Sequence, residues 1–157
     1  MPKSIALNNN IRIGKNSRLD TLQAAILLPK FKAFVDYELD DVNQVAQWYT
    51  EGLKDTDLIL PVVQDGFYSS WAQYTVQLPE GVDRKEIQAR LKEADIPSMV
   101  YYPKPMHSHG AFAGTDSAKA DCPVTDRLCK TVLSLPLDPY KTQEVIEAVV
   151  SELKKAL

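Results

Sequence analysis

Apolar residues fall at Leu19, Leu22, Ala25 and Ile26, then at Phe31, Phe34 and Val35. They continue at Leu39, Val42, Val45, Ala46, Tyr49 and Leu53. Spacing of i, i+3, i+4, i+7 held over such a stretch predicts a long amphipathic helix that opens near Ser17 and buries one stripe. At ~1.5 Å per residue it would run roughly 50 Å, too long to be covered by one small core. Pro29 interrupts it. Proline lacks the N–H and crowds the carbonyl of Ala25, so a kink or a pair of abutting helices is expected there. Asp36, Glu38, Asp40 and Asp41 mark a solvated acidic face. An apolar strip on the Phe31, Phe34 and Leu39 side is expected to stay uncovered, with self-association as its remedy.

The period changes to two at Ala72. Ala72, Tyr74, Val76 and Leu78 alternate with Gln73, Thr75 and Gln77, which predicts a strand with one face on the core. Between helix and strand, residues 52–66 carry turn signals at Asp55-Thr56-Asp57, Pro61 and Asp65-Gly66. Asp83 and Glu86 form a capping pattern for a helix over 84–94, with Ile87, Leu91 and Ala94 on one face. Asp95 stands where a left-handed cap is expected. Residues 98–102 predict a second strand, bounded by Pro103 and Pro105. Residues 106–121 are a small polar loop, 123–130 a short helix opened by proline, and 132–135 a third strand. Thr142 caps a last helix with the stripe Val145, Ile146, Val149, Val150 and Leu153, and Lys154 and Lys155 suit its C-terminal dipole. Together these predict an α+β chain: a two-layer sandwich of a small, mostly antiparallel sheet with helices on one face and a long N-terminal helix. Residues 1–10 are polar and are expected to be a flexible N-terminus, with 11–157 a single domain.

Composition narrows the classes. With 157 residues, 45% hydrophobic and 25% charged, the chain is long enough for a core of its own. A net charge of −3 leaves no basic footprint for nucleic acid. Apolar runs fall far short of a membrane span, and the first ten residues lack the apolar core of a secretory signal, so a cytoplasmic location is expected. Cys122 and Cys129 lie two helical turns apart, which suits thiols on one helix face better than a disulfide. His107 and His109 with Cys122 fit no closed zinc pattern.

Ordered motifs carry a resemblance. Gly14-x-Asn16-x-Arg18-Leu19-Asp20-Thr21-Leu22-Gln23-Ala24-Ala25 is followed by Ala72-Gln73-Tyr74-Thr75-Val76 and Ala94-Asp95-Ile96-Pro97. Next come Tyr102-Pro103-Lys104-Pro105-Met106-His107 and Leu133-Ser134-Leu135-Pro136-Leu137-Asp138-Pro139-Tyr140. The set resembles the C-terminal domain of the DegT/DnrJ/StrS-type sugar-nucleotide aminotransferases, pyridoxal-phosphate (PLP) enzymes of fold type I. The resemblance implies that Asn16 reaches the PLP phosphate of a neighbouring subunit and that Arg18 lies at the same interface. On residue chemistry alone, Asn16 and Ser17 are equally helix caps. The resemblance also implies that Tyr101, Tyr102 and His107 border a nucleotide-sugar site. Histidine is common in that family where this chain has Tyr101, and the exchange removes the option of a positive charge facing a diphosphate.

A PLP transaminase needs a Schiff-base lysine and a carboxylate on the pyridinium nitrogen. The family's Ser-Phe-x-x-x-Lys-x-x-Gly segment is absent from these residues, and Lys104 is the one lysine in a site-like loop. No catalytic residue and no metal ligand is therefore expected here, and no cofactor for these residues alone. The expected role is that of a detached C-terminal domain of an enzyme of amino-sugar and polysaccharide biosynthesis, silent without its lysine-bearing partner domain. The alternatives are a stand-alone dimeric interaction module, or a nucleotide-sugar-binding domain without catalysis. The expected partner is a second copy of the chain or a separate lysine-bearing domain.

Overall fold

The computed structural model describes residues 20–157. Asn16 and Arg18 lie outside the described residues. The first helix, α1 (Thr21–Ala33), opens later than expected, because Asp20 is extended and its carboxylate accepts the Gln23 N–H at 2.8 Å. Asp20 is thus the N-cap. The helix continues through Pro29, which lies inside it. It then widens into a π-helical turn, Phe34–Glu38, before α2 (Leu39–Leu53). α1 buries no residue. Its apolar side chains lie on two opposite sides rather than in one stripe. At ~100° per residue, Leu22, Ala25, Ile26 and Pro29 face one way, and Ala24, Leu27, Leu28 and Phe31 the other. Phe31 is 65% exposed while Phe34 and Leu39 are half-buried, so an apolar strip is left uncovered as expected. Only α2 carries the predicted core face, with Val42, Val45, Ala46, Tyr49 and Leu53 buried.

Two strands form a regular antiparallel sheet, β1 (Tyr74–Gln77) and β2 (Val132–Leu135), in register Tyr74↔Leu135 to Gln77↔Val132. β1 starts two residues later than the alternation predicts, because Trp71 takes a left-handed φ of 45° and bends the chain. Ala72 is exposed as a result, whereas Tyr74, Val76 and Leu78 face the core. The strand expected over 98–102 shrinks to one bridge. Met99 and Ser134 exchange N–H···O bonds of 3.0 and 2.8 Å, and Pro97 and Pro103, each without a donor, bracket the segment. A similar bridge joins Ile59 to the other edge of β1.

The helix α3 (Arg84–Glu93) is capped by Asp83, whose carboxylate accepts the Lys85 N–H at 2.8 Å. It ends as expected on Asp95, at φ 60°, with Ile96 N–H bonded to Leu91 O at 2.8 Å and Asp95 N–H to Lys92 O at 3.0 Å. α4 (Pro123–Thr131) begins after Cys122, which is its half-buried N-cap; only Cys129 lies within the helix and is buried. α5 (Gln143–Ala156) buries Ile146, Val149, Val150, Leu153 and Ala156, while Val145 stays exposed.

The core sits between α2, α5, α3 and the sheet. Tyr49 of α2 stacks on Tyr74 of β1 with ring centroids 4.9 Å apart, and its hydroxyl donates to Pro136 O at 2.7 Å. Thr50 Oγ1 and the Tyr74 hydroxyl share a bond of 2.8 Å. These two phenols are thus both buried and bonded. Burial raises both phenol pKa values above their ordinary range. α2 and α5 approach closely at Gly52, where a Cβ would stand 3.0 Å from Val150 Cγ2.

Candidate functional site

Between the Met99 bridge and α4 the chain runs through proline-rich backbone and three short 3-10 turns, Met106–Ser108, Gly110–Phe112 and Asp116–Lys119. Pro103 and Pro105 keep it from continuing the sheet, and Ser108 Oγ donates to Pro105 O at 2.9 Å, closing the first turn. This segment arches over α4 and the start of β2. The space beneath it is a cavity of about 600 Å³. Tyr101, Tyr102, Lys104, Met106 and His109 line it from the arch, and Thr125, Leu128 and Cys129 from α4. Its lining is mostly apolar, with a few polar groups placed around it, the usual make-up of a small-molecule site.

The polar groups are specific. Tyr101 and Tyr102 meet edge to face, with centroids 5.6 Å apart. Tyr102 is 58% exposed and stands at the mouth. His109 is buried, with Nε2 3.3 Å from Lys104 O. Lys104 is half-buried. Burial pushes the Cys129 thiol above its ordinary pKa, so it stays neutral and is a poor nucleophile. The floor is fixed by Arg84 of α3, whose Nη1 donates to Cys129 O at 2.8 Å and to Val132 O at 3.0 Å. One guanidinium thereby ties the end of α4 and the start of β2 to α3.

Of the residues expected from sequence, Tyr101 and Tyr102 come together in this cavity. His107 does not line it: it is half-buried with Nε2 3.9 Å from Asp126 Oδ1 on α4. His109 takes the inward place. A 3-10 turn has three residues per turn, so residues two apart point apart, and motif spacing alone cannot say which histidine faces in. Arg84, Thr125 and Leu128 were not foreseen. They come from α3 and α4, and no local pattern marks them.

Whether these residues fit a PLP group is decided by their chemistry. No carboxylate lines the cavity to hold a pyridinium nitrogen, and Lys104 is its one amine. The lining of this cavity therefore does not match the donor set of a PLP site. Among the described residues no cluster of three or more His, Cys, Asp or Glu side chains is placed to hold a metal ion.

The sequence pattern of the DegT/DnrJ/EryC1/StrS aminotransferase family matches residues 3–154. The UDP-2-acetamido-2-deoxy-3-oxo-D-glucuronate aminotransferase of Pseudomonas aeruginosa is 40% identical over 145 residues, which cover 92% of this chain and 38% of that protein. The dTDP-3-amino-3,6-dideoxy-alpha-D-galactopyranose transaminase of Aneurinibacillus thermoaerophilus is 32% identical over 146 residues, 93% of this chain and 39% of its own. Among solved structures, a DegT DnrJ EryC1 StrS aminotransferase from Brucella abortus superposes with a TM-score of 0.78 at 36% identity, over 94% of this chain and 38% of its own. The chain thus spans less than half the length of the relatives it matches.

Proposed function

The chain belongs to the DegT/DnrJ/EryC1/StrS aminotransferase family, and on that premise we propose that it forms the C-terminal, substrate-side part of a sugar-nucleotide aminotransferase and does not transfer the amino group by itself. Aminotransferases of this family work with pyridoxal phosphate. The observation that carries the division of labour is the cavity's donor set: two tyrosines, a buried imidazole and an ammonium, with no carboxylate. Such a set can grip a planar base or a sugar hydroxyl and face an anion. It cannot hold a pyridinium nitrogen. Joined to a lysine-bearing domain, the assembly would move an amino group from glutamate to a keto-sugar nucleotide in amino-sugar synthesis.

In this reading Tyr101 and Tyr102 contact the nucleotide sugar, and His107 orders the arch through Asp126. Asn16 and Arg18 reach a phosphate in the completed enzyme. We read the fold as the two-layer arrangement expected from sequence, which the stacking of Tyr49 on Tyr74 supports. Exposed Leu22, Ile26 and Phe31 on α1 favour an assembly, either with a second copy or with the lysine-bearing domain. No helix among the described residues is long and apolar enough to cross a membrane, and we place the protein in the cytoplasm.

Two measurements test this. Calorimetry with UDP- and dTDP-sugars should give heat at millimolar ligand, and Tyr102→Ala should abolish it. Absence of heat with the unmodified protein removes the substrate-side role. Incubation with PLP and borohydride should give no stoichiometric single-site adduct by mass; one lysine fully labelled would overturn the division of labour.

A further inference from the structure

Glu38 is the one carboxylate buried among the described residues, at 3% exposure. It was expected on a solvated acidic face with Asp36, Asp40 and Asp41. Helical spacing explains the reversal: Val42, Val45 and Tyr49 follow Glu38 at +4, +7 and +11, so it shares the core face of α2. Glu38, at the end of the π turn, faces inward, while Asp36 and Asp40, two residues to either side and so on the far face, remain outside.

Two groups meet it there. Lys30 of α1 places Nζ 2.5 Å from Glu38 Oε1, and the Tyr140 hydroxyl donates to the same oxygen. Lys30 Nζ also stands 3.5 Å from that hydroxyl and 5.4 Å from the centre of the Tyr140 ring. The three groups come from α1, from the π turn and from the segment between β2 and α5. α1 itself buries nothing, so no apolar packing within these residues sets its direction.

We propose that Glu38 is a positioning residue: with Lys30 and Tyr140 it latches α1 to the 136–142 segment, and the π turn Phe34–Glu38 is the joint about which α1 swings when the latch opens. The inference stands on this geometry alone and does not require the aminotransferase reading. Its charge logic is self-contained. The nearest other ionised groups of that segment, Asp138 and Lys141, pair with each other at 2.7 Å. Lys30 and the Tyr140 hydroxyl hold the Glu38 carboxyl below its ordinary pKa. The latch is therefore complete above the ordinary carboxylate range and lost as pH falls through the lowered value.

Amide hydrogen exchange read by mass spectrometry tests it. Glu38→Gln keeps the shape and removes the charge; Tyr140→Phe removes one hydroxyl. Glu38→Gln should speed exchange over residues 21–37 about tenfold or more, and Tyr140→Phe by a smaller factor, with α2 and α5 unchanged. After correction for intrinsic rates, acid should release α1 in the unmodified protein, and Glu38→Gln should lack that step. A rise spread evenly over α2 and α5 would mean general loss of stability and overturn the latch, as would unchanged exchange over 21–37. Should Glu38→Gln fail to fold, Tyr140→Phe decides by the same criteria.

Discussion

Arg84 does at one point what a longer strand would do along its length. Its planar fork satisfies Cys129 O and Val132 O at the corner where α4 turns into β2, under the floor of the cavity. Burial lowers its pKa from the usual arginine value, yet it stays charged at any ordinary pH. Lysine cannot reach both carbonyls with the same geometry, so Arg84→Lys should cost about 1–3 kcal/mol in urea unfolding. It should also loosen the cavity floor, seen as weaker nucleotide-sugar binding by calorimetry. A loss of binding with unchanged stability would place the guanidinium in ligand contact instead. Trp71 shows the same economy. Its left-handed backbone is held because Nε1 donates to Asn43 Oδ1 at 2.8 Å, while Asn43 Nδ2 donates to Leu39 O and Ser69 O at 2.7 and 3.0 Å.

Among the elements, those set by local chemistry were legible in the sequence. The Asp83 cap, the left-handed turn at Asp95, the proline that opens α4 and the four residues of β2 each follow from one or two neighbouring side chains. The parts that were not legible depend on contacts from far away. Met99 pairs with Ser134 for one bridge only, and nothing in residues 98–102 says that the pairing stops there. Glu38 has the helical spacing of Val42, Val45 and Tyr49, yet a carboxylate reads as solvated because its partner Tyr140 is distant in the chain. In α1 the run from Ala24 to Leu28 matches a helical stripe while leaving apolar groups on both sides, which a search for one stripe does not reveal. At the candidate site, Tyr101 and Tyr102, singled out by their motif, line the cavity. The inward histidine and the contribution of α4 were not legible, because turn geometry and tertiary packing choose them.

For the whole molecule, an arm that is apolar on two sides and buries nothing sets the expectation for assembly. Leu22, Ile26, Leu28, Phe31 and Val35 are all more than half exposed, against a compact body whose core is closed. Helices that are apolar all round are ordinarily buried. The chain is therefore expected to self-associate with rising concentration in size-exclusion chromatography. Phe31→Glu with Ile26→Lys should abolish that behaviour and shift urea stability by no more than about 0.5 kcal/mol. A strictly monomeric elution of the unmodified chain across concentration would show that α1 is covered in some other way. The body, by contrast, has a dimension fixed by the smallest residue in it. With no side chain at position 52, α2 and α5 sit as near as Val150 allows. Gly52→Ala should therefore wedge the two helices and cost about 1–3 kcal/mol, and Val150→Ala in the same chain should recover part of that loss. The two sites then trade bulk, so that relatives carrying a methyl at the first are expected to have given one up at the second.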